Sequence, residues 1–410
     1  MKNVKQIKGR DIIIVGQQPW DTSIGSNCKN IALEWSKNNR VLYVNSPLDR
    51  ISKYRWKSDP KIKKRIAVIQ GIETGLEKIS DNLWNLFPDD IIESINWIKF
   101  QSIFEFFNKR NNKTFSRSIL KAIKELNFKN YILFNDNDMF RSFHLKSLLK
   151  PAISIYYSRD FMLAVDYWKL HGIKLEPELI SDSDICVANS TYLANYCRQY
   201  NSNSFYVGQG CELEIFMNCD AYAIPDDTRP ISTPIIGYVG ALQSIRLDIK
   251  ILLHIAKQRP EWNIVLVGPE DDEFKSSSLH HLKNVFFLGS KDPSTLPAYI
   301  KAFDICINPQ IVNQVTIGNY PRKIDEYLAV GKPVVATKTD AMDIFKDYCY
   351  LADSKEDYVK MIEEALKNDS FELKNNRRHF ASTHTWENCV LEIDKAISNW
   401  EVQSNLNIND

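Results

Sequence analysis

The chain has 410 residues, 44% of them hydrophobic and 25% charged, a balance that excludes a disordered or fibrous protein and predicts two α/β domains rather than one core. The 52 Lys and Arg residues nearly cancel the 51 Asp and Glu residues, so the charge indicates no nucleic-acid partner. Eight scattered cysteines without a CxxC pair predict free thiols in a reducing cytoplasm and no zinc site.

The first half of the chain alternates apolar, β-rich runs with amphipathic stretches. The charged N-terminus, MKNVKQIKGRDIIIVG, enters the first such run directly, which is not the pattern of a signal peptide, and no apolar stretch approaches the ~18–20 residues that span a bilayer. Continuous apolar runs between helices indicate a parallel sheet covered on both faces. The predicted strands are 11–16, 40–46, 65–71, 130–136, 152–158, 184–190 and 204–210, and the segment 91–127 is predicted to be helical.

A second series of strands follows residues 217–234, which contain three prolines and no periodic pattern and are interpreted as an interdomain linker. The predicted strands are 234–240, 263–269, 284–290, 304–309 and 333–337, with helices at 247–258 and 322–330. The fold class is therefore α/β, with two Rossmann-like, doubly wound domains, 1–216 and 235–376, facing each other across a cleft. The end of the chain, 377–410, is expected to form a helix that packs back on the N-terminal domain.

Ligands of open parallel sheets bind beyond the carboxyl ends of the strands, and the motif GYVGALQSIRLD (237–248) lies at such a place. Gly240 ends a strand and Arg246 follows in the loop. A glycine lets backbone N–H groups approach a diphosphate, and Arg presents a planar fork to phosphate oxygens. A tight turn between strand and helix explains Gly240 equally well, so both interpretations stay open.

The segment NYPRKIDEYLAVGKPVVAT (319–337) is more specific, since Pro321 suits a helix start and Gly331 a helix end. Lys323 and Glu326 are three residues apart and share one helix face. A cation near a helix N-terminus opposes the macrodipole but suits a bound phosphate. Glu326 would accept hydrogen bonds from the two ribose hydroxyls of a nucleotide. The alternative is a surface salt bridge between the two side chains.

These segments resemble the donor-binding domain of GT-B glycosyltransferases. YPRKIDEYLAVGKPVVAT is similar to the hallmark of that domain, a carboxylate followed by E(Y/A)(L/M)AxGxPVV, and GYVGAL, VGP (267–269) and FFLGSKDPSTLPAYIKAFDICINP (286–309) match in the same order. In the first half, QPWDTSIGSNCKNIALEWSKNNRVLYVNSP, FNDND and SDSDICVANSTYLANY resemble bacterial transferases that build cell-surface polysaccharides. The implied site residues are Gly240, Arg246, Lys323 and Glu326 for the nucleotide-sugar donor, and Gly25 and Ser26 for a small-residue loop (or a plain turn) on the acceptor side.

Gly318 departs from the pattern of the large retaining group of these enzymes (family 4). That group carries Glu-x7-Glu, with the first Glu near the transferred sugar and the second near the ribose. Glu326 fits the second position, whereas Gly318 stands at the first. Related inverting enzymes lack the first Glu and place a Lys beside the donor diphosphate, which suits Lys323. Whether the reaction retains or inverts the anomeric centre stays open.

An inverting reaction requires a general base that deprotonates the acceptor hydroxyl. Asp160, just after a predicted strand, stands where the resemblance implies a catalytic Asp. Asp136 and Asp138, after the preceding strand, are rivals, and each of the three residues could instead be a helix cap. His144 and His171 are further candidates, although a lone His is more often structural.

The run KYRWKSDPKIKKR (53–65) contains seven Lys and Arg residues and one Asp, with Tyr54 and Trp56 among them. It is interpreted either as a solvated loop or as a contact with an anionic membrane, where each Lys or Arg gains about 1 kcal/mol and aromatic rings lie at the interface. The second interpretation would place a cytoplasmic protein on the inner face of the membrane.

The sequence thus predicts a hexosyltransferase-type glycosyltransferase that moves a sugar from a nucleoside-diphosphate sugar to a glycan or lipid-linked acceptor of a surface polysaccharide. No cofactor or metal is expected, because the nucleotide sugar is a substrate and no DxD motif lies on an evident metal-site loop. Two alternatives are a nucleotide-sugar epimerase or hydrolase of the same fold and a non-catalytic subunit that binds nucleotide sugars or glycans. An NAD-dependent dehydrogenase is disfavoured because the first strand lacks GxGxxG.

Overall fold

The computed structural model describes residues 6–22 and 25–408, with side chains up to residue 404. The chain forms two compact units, 1–208 together with 386–410, and 209–385. Each unit is built on a sheet whose strands are parallel or nearly all parallel. The predicted α/β class with two parallel-sheet domains is therefore confirmed.

The first unit contains an eight-stranded sheet of order β10-β9-β8-β7-β1-β2-β5-β4, in which only the β4–β5 pair is antiparallel, and a short parallel pair of β3 and β6. The strands are β1 Asp11–Val15, β2 Arg40–Val44, β3 Leu48–Asp49, β4 Leu76–Ser80, β5 Leu83–Leu86, β6 Ile91–Ile92, β7 Ile132–Asp136, β8 Ile153–Ser158, β9 Ile185–Ala188 and β10 Ser204–Tyr206. The helices are α1 Asn27–Trp35, α2 Arg50–Arg55, α3 Pro60–Ile69, α4 Gln101–Leu126, α5 Leu145–Leu149, α6 Asp166–Asp182 and α7 Thr191–Arg198.

The central strand β1 explains why the apolar runs are continuous. Ile12 and Ile14 pack with residues of α1 on one face of the sheet, and Ile13 and Val15 pack with residues of α4 on the other. Successive side chains of a strand point to opposite faces, so a sheet covered twice needs an apolar residue at every position. This layering places the ends of β1, β2, β7 and β8 at one edge of the sheet.

Two predictions for the first unit are wrong in part. Residues 65–71 are not a strand, because Asp59 accepts a hydrogen bond from the N–H of Lys61 (2.7 Å) and Pro60 starts helix α3, which runs through the apolar residues. A cap and an N-terminal proline are strong helix-start signals, and they outweigh the short β-like run. In the segment 91–127, the helix begins only at Gln101, and Ile91–Ile92 is a strand.

The second unit contains a six-stranded parallel sheet of order β13-β12-β11-β14-β15-β16. The strands are β11 Ile235–Val239, β12 Asn263–Val267, β13 Val285–Gly289, β14 Ile305–Asn308, β15 Val334–Thr337 and β16 Tyr350–Ala352. The helices are α8 Glu214–Met217, α9 Ile249–Gln258, α10 Asp272–Lys275, α11 Leu296–Ala302, α12 Arg322–Val330, α13 Lys355–Asn368 and α14 Phe371–Ser382. The five predicted strands and the predicted helix 322–330 are all present.

The boundaries between the units differ from those predicted. The first unit ends at residue 208 rather than 216, and the predicted linker 217–234 lies within the second unit, where Cys219 and Ile231 are buried in the same cluster as Phe303. Its lack of periodicity reflects turns and a short 3₁₀ helix rather than a free connection. Helix α14 also belongs to the second unit, so the chain returns to the first unit at residue 386 rather than 377.

The returning segment is the helix α15 Trp386–Ile408. Val390, Ile393 and Ile397 are fully buried in the cluster that contains Ile12 and Ile14 of β1. Asp394, at the centre of α15, accepts a hydrogen bond from the indole N–H of Trp35 (2.9 Å) and another from the backbone N–H of Ile7 (3.1 Å). The C-terminal helix is therefore an integral layer of the first unit.

Candidate active site

Two glycines bring the turns after β11 and β12 together in the second unit. Gly240 has φ 137° and Gly268 has φ 150°, a region that side chains disfavour. A Cβ atom on Gly268 would lie 2.0 Å from the backbone oxygen of Gly240. Both positions therefore require glycine: Gly268 because of this close packing at the carboxyl edge of the sheet, and Gly240 because of its backbone angle.

Lys323 extends to the same turn. A Cβ atom on Gly240 would lie 2.1 Å from Cε and 2.6 Å from Nζ of Lys323, and Nζ lies 5.2 Å from the centroid of the Tyr238 ring. Within residues 6–22 and 25–408, no carboxylate forms a salt bridge with this ammonium group. Lys323 is the second residue of α12, whose N-terminal residue Pro321 provides no side-chain cap. A cation without a counter-ion at an uncapped helix start is suited to an anion.

Glu326 lies one turn further along α12 and is half-buried. Burial raises the pKa of its carboxyl group, while the charges of Arg322 and Lys323 act in the opposite direction. The alternative prediction, a Lys323–Glu326 salt bridge, is not found in the described part of the chain, where the Glu326 carboxylate has no hydrogen-bond partner. Its acceptor oxygens are therefore not used by the protein itself.

Arg246 lies in the loop that follows Gly240. Its backbone is fixed, because its carbonyl accepts a hydrogen bond from the N–H of Ile311 (2.9 Å) and the N–H of Leu247 donates to the carbonyl of Gln243 (2.9 Å). Its side chain is exposed. The described residues offer its guanidinium group neither a hydrogen bond nor an ion pair, and they do not bring it into contact with Lys323 or Glu326.

Asp325 anchors this helix, and it was not predicted as a site residue. It is fully buried, and its carboxylate accepts hydrogen bonds from the Tyr320 hydroxyl (2.8 Å) and the Cys211 thiol (3.3 Å). Nδ1 of His384 lies 2.5 Å from its other oxygen. Asp325 is the carboxylate that precedes Glu326 in the family hallmark, so its type was visible in the sequence, although its partners were not.

The three candidate aspartates of the first unit differ in their surroundings. Asp136 is fully buried and accepts hydrogen bonds from Nε of Arg159 (2.7 Å) and the N–H of Gln17 (3.1 Å). Asp138 is also buried, and it accepts from two backbone N–H groups of the following turn and from Nε of Arg141 (2.6 Å). It thus caps a turn, as one of the two interpretations predicted.

Asp160 is the exposed member of the three, with 45% of its side chain accessible. One carboxylate oxygen accepts a hydrogen bond from Nη1 of Arg159 (2.7 Å), so Arg159 bridges Asp160 and Asp136. Burial alone would lower the pKa of Arg159, but the charges of the two aspartates raise it. Arg159 was not predicted as a site residue.

A buried network holds the backbone at Asp160. Asn137, with φ 56°, accepts hydrogen bonds from the N–H groups of Arg159 (3.0 Å) and Asp160 (3.1 Å) and donates to the Tyr156 hydroxyl (2.9 Å). Tyr156 in turn donates to Glu176 (2.7 Å). Burial raises the pKa of Glu176 to about 7, although hydrogen bonds from Tyr156 and Tyr196 oppose the shift. No motif in the sequence pointed to Glu176.

The two histidine candidates occupy different places. His171 is buried and stacked on Phe104 at 3.6 Å, and its Nε2 lies 2.7 Å from the carbonyl oxygen of Ile98. Burial lowers its pKa. These contacts give His171 a structural role. His144 precedes α5, and burial together with the charge of Lys109 lowers its pKa.

Gly25 and Ser26 lie between β1 and α1, next to two residues outside the described part of the chain. Gly25 is exposed, whereas Ser26 is buried and caps α1, its hydroxyl accepting from the N–H of Lys29 (3.4 Å). Because β1 pairs in parallel with β7, both residues lie at the edge of the sheet where Asp136 and Asp160 lie. The cap explains Ser26 without a ligand.

The basic run 53–65 consists of the end of α2, a turn at 56–59 and the first part of α3, so its interpretation as a single loop is wrong. Arg65 is buried and forms a two-point ion pair with Asp21 (2.9 and 3.1 Å), and Lys64 pairs with Glu77 (2.6 Å). The remaining cations, at 53, 55, 57, 61 and 63, form no ion pair in the described structure. Tyr54 and Trp56 are 88% and 62% exposed, which leaves a basic and aromatic surface.

Neither a metal-binding cluster nor a membrane-spanning helix occurs in the part of the chain that the structure describes. Among the described residues, no three His, Cys, Asp or Glu side chains are grouped so that they could hold a metal ion. No helix within the described ranges combines the length and the apolar character needed to cross a membrane.

Comparison with known structures identifies the architecture. Sucrose-phosphate synthase from Thermosynechococcus elongatus superposes with a TM-score of 0.63 at 14% identity, over 96% of this chain and 100% of the other. Trehalose 6-phosphate synthase from Burkholderia multivorans gives 0.65 at 9% identity and 98% coverage of both chains. The fold is that of the GT-B glycosyltransferases. HepE from Anabaena, in a crystal structure with UDP-glucose, gives 0.56 at 13% identity, over 95% of this chain and 98% of that chain.

Sequence comparisons agree with the GT-B fold and place the similarity most firmly in the second unit. Residues 233–368 match the family described as Glycosyl transferases group 1. A Bacillus subtilis protein named as a teichuronic acid biosynthesis glycosyltransferase, TuaH, is 32% identical over 163 residues. That alignment covers 38% of this chain and 41% of TuaH, so it spans less than half of the relative. The predicted resemblance to GT-B enzymes of surface-polysaccharide synthesis is thereby confirmed.

Proposed function

We propose that the protein is a glycosyltransferase that transfers a sugar from a nucleoside-diphosphate sugar to an acceptor in surface-polysaccharide synthesis. The observation that carries the proposal is the Lys323 ammonium group, which lies against Gly240 at an uncapped helix start without a counter-ion. The match of 233–368 to glycosyl transferases and the UDP-glucose in HepE support a nucleotide sugar as the ligand of this place. The name of TuaH supports a surface polysaccharide as the product.

In the proposed donor site, separate residues bind the diphosphate and the ribose of the nucleotide. Lys323 and the N–H groups at the start of α12 hold the diphosphate, and the exposed side chain of Arg246 reaches it when the donor binds. Glu326 accepts hydrogen bonds from the ribose hydroxyls. The main catalytic effect of this site is electrostatic, because negative charge accumulates on the leaving diphosphate as the glycosidic bond breaks. No metal is proposed.

Asp160 is proposed as the base that takes the proton of the acceptor hydroxyl. Its exposure supports this role, since Asp136 and Asp138 are buried and committed to protein hydrogen bonds. Gly318 offers no carboxylate on the donor side, which favours direct displacement with inversion. Arg159 holds one oxygen of Asp160, and the Asn137 side chain holds the Asp160 backbone by accepting a hydrogen bond from its N–H.

Acceptor-dependent release of nucleoside diphosphate tests the proposal. The purified protein is incubated with a panel of UDP- and GDP-sugars, with and without saccharide and lipid-linked acceptors, and free UDP or GDP is measured. We expect release only with one donor and only when an acceptor is present. Release or conversion of the donor without acceptor would instead indicate a hydrolase or epimerase. Binding of UDP without any turnover across the panel would favour a non-catalytic subunit.

A further inference from the structure

A pocket of about 440 Å³ lies in the first unit, apart from the residues predicted for the site. It lies at the carboxyl edge of the sheet, because its walls come from the segments that follow β2, β7 and β8. Its size falls within the range of about 300–1,000 Å³ typical of small-molecule sites. Its lining includes Asp49, Ile51, Arg55, Trp97, Asn111 and Tyr167.

The protein uses most polar groups of this pocket itself. The Asn111 amide accepts from the N–H of Glu93 (2.9 Å) and donates to its carbonyl (2.9 Å). Asp49 accepts from the Ser52 hydroxyl (2.5 Å) and from that of Ser94. The indole N–H of Trp97 donates to the Ser94 carbonyl (2.8 Å). What remains for a ligand is therefore the aromatic surface and the guanidinium group of Arg55.

The aromatic surface and the Arg55 guanidinium group are both accessible to a ligand in the structure. Trp97 is 70% exposed and Tyr167 is 59% exposed, although each lines the pocket. Arg55 is exposed as well, and no carboxylate of the described chain pairs with it. An aromatic wall beside a free guanidinium group suits a molecule that is apolar along its length and anionic at one point.

Three segments that contribute to the pocket lining also carry many exposed apolar side chains. Of the 22 large hydrophobic side chains exposed on the described residues, eleven belong to the three segments 51–56, 97–106 and 165–173. Each segment also contributes to the pocket lining, through Ile51, Trp97 and Tyr167. Scattered apolar residues are normal on a protein surface, but their concentration in the segments that line one pocket suits a contact with an apolar partner. The members are Ile51, Tyr54, Trp56, Trp97, Phe100, Ile103, Phe106, Val165, Tyr167, Leu170 and Ile173.

We propose that this pocket binds the acceptor by its lipid-phosphate end: Arg55 pairs with the phosphate, Trp97 and Tyr167 contact the adjoining chain or ring, and exposed apolar side chains of the same segments contact the lipid. This assignment rests on the proposed function and specifies its acceptor as lipid-linked. Lys53 and Lys57 form no ion pair in the described structure and lie two residues before and after Arg55, so this stretch of the chain is basic as well as apolar, which matches an anionic amphiphile. The acceptor is thus presented at the same sheet edge as Asp160.

Binding of farnesyl phosphate tests the assignment without requiring turnover. Its Kd is measured by calorimetry below its micelle concentration, with inorganic phosphate as the lipid-free comparison. We expect farnesyl phosphate to bind at least tenfold more tightly than inorganic phosphate. Arg55→Ala and Trp97→Ala should each raise the farnesyl phosphate Kd by about tenfold, since each removes one principal contact. Trp97→Phe, which keeps a flat apolar ring, should retain most of the affinity.

Matched controls distinguish binding in the pocket from non-specific binding to exposed positive charge or exposed aromatic rings. Arg117→Ala removes an exposed arginine of α4, and Phe371→Ala removes an exposed aromatic of the second unit, and neither lines the pocket. Both should bind farnesyl phosphate as the wild type does. Equal Kd values for all variants, or equal binding of inorganic phosphate, would overturn the assignment. A UDP titration of the same samples reports on the donor site separately, so loss of one proposal is distinguishable from loss of the other.

Discussion

At the scale of single residues, the most informative feature is a charge that lacks a partner. Salt-bridge partners surround most buried or half-buried charges of the first unit, as in Arg159 with Asp136 and Arg65 with Asp21. Lys323 and Glu326 differ, since they share a helix face and yet leave each other free. Burying charge without compensation costs stability, so residues of this kind point to a ligand that completes them.

The donor assignment predicts the effect of removing these side chains. Lys323→Ala and Glu326→Ala should each raise the Kd for UDP by roughly ten- to a hundredfold, because one charge-assisted hydrogen bond contributes about 1.5–3 kcal/mol. Neither variant should unfold more easily, since neither side chain is bonded within the described protein. Calorimetric UDP titration and a thermal melt measure both quantities. An unchanged Kd in both variants would remove these residues from the site.

One substitution at each of Asp160 and Asp136 distinguishes a catalytic from a structural aspartate. Asp160→Asn should lower turnover by about 10²–10⁴-fold with little change in the UDP Kd, because it removes only the base. Asp136→Asn should chiefly lower stability, by about 3–5 kcal/mol, because it leaves Arg159 buried without its main partner. Turnover, UDP titration and urea unfolding on the same proteins distinguish the two. Near-normal turnover in Asp160→Asn would place the base elsewhere.

At the scale of elements, local sequence patterns could be predicted, whereas contacts between distant residues could not. Continuous apolar runs predicted most of the parallel strands, because a sheet covered on both faces requires apolar residues at every position. The parallel strands β3, β5, β6 and β16 have two to four residues each and were not predicted. The helix α12 and its Lys323 and Glu326 were also predictable, since the pattern lies within nine residues. The strand predicted at 65–71 was wrong, because the start signals of α3 lie outside the apolar run that suggested it.

The network behind Asp160 was not predictable for the opposite reason. Asn137, Arg159 and Glu176 come from three separate elements, and their hydrogen bonds join residues about twenty positions apart. Asn137 also adopts a left-handed backbone, which no periodic pattern indicates. Such contacts depend on the register of β7 against β8, and this becomes visible only in the folded sheet.

Glu176 gives this network a measurable pH dependence. Its pKa is about 7 in the folded protein and near 4.5 when exposed, so the folded state binds the extra proton between these values. The contribution of this group is therefore fully present below pH 4.5 and is lost as the pH rises to about 7, by roughly 3 kcal/mol in total. The free energy of unfolding, measured in urea at pH 5 and pH 8, should fall less in Glu176→Gln than in the wild type. The same decrease in both proteins would contradict the raised pKa.

At the scale of the whole molecule, the chain crosses between its units twice, at 208–209 and at 385–386. The linker was predicted at 217–234, after the observed boundary at 208–209. The reason is that a compact irregular segment and a free connection have the same composition, rich in proline and lacking periodicity. Only burial separates them, as Ile231 and Cys219 show. The return of α15 was suggested by its large aromatics, and Trp386 and Trp400 do pack at the edge of the first unit's core.

The basic surface of α2 and α3 bears on where the whole molecule works. We predict that the protein binds anionic vesicles through the cations at 53, 55, 57, 61 and 63, and that binding falls steeply with salt. Each Lys or Arg near such a surface contributes about 1 kcal/mol, so Lys61→Ser with Lys63→Ser should weaken binding by roughly thirtyfold. Co-sedimentation with vesicles of phosphatidylcholine and phosphatidylglycerol measures this.

The charge-matched control is Lys360→Ser with Lys367→Ser on α13, which removes two exposed lysines of the second unit and should leave binding unchanged. Arg65→Ser is expected to act differently from its neighbours, because its guanidinium group is bonded to Asp21 rather than free, and its loss should lower the melting temperature. Binding that persists at high salt, or that falls equally in both lysine pairs, would show that net charge rather than this surface attracts the membrane. In that case α2 and α3 would be solvated helices, and a lipid-linked acceptor would have to reach the pocket from solution.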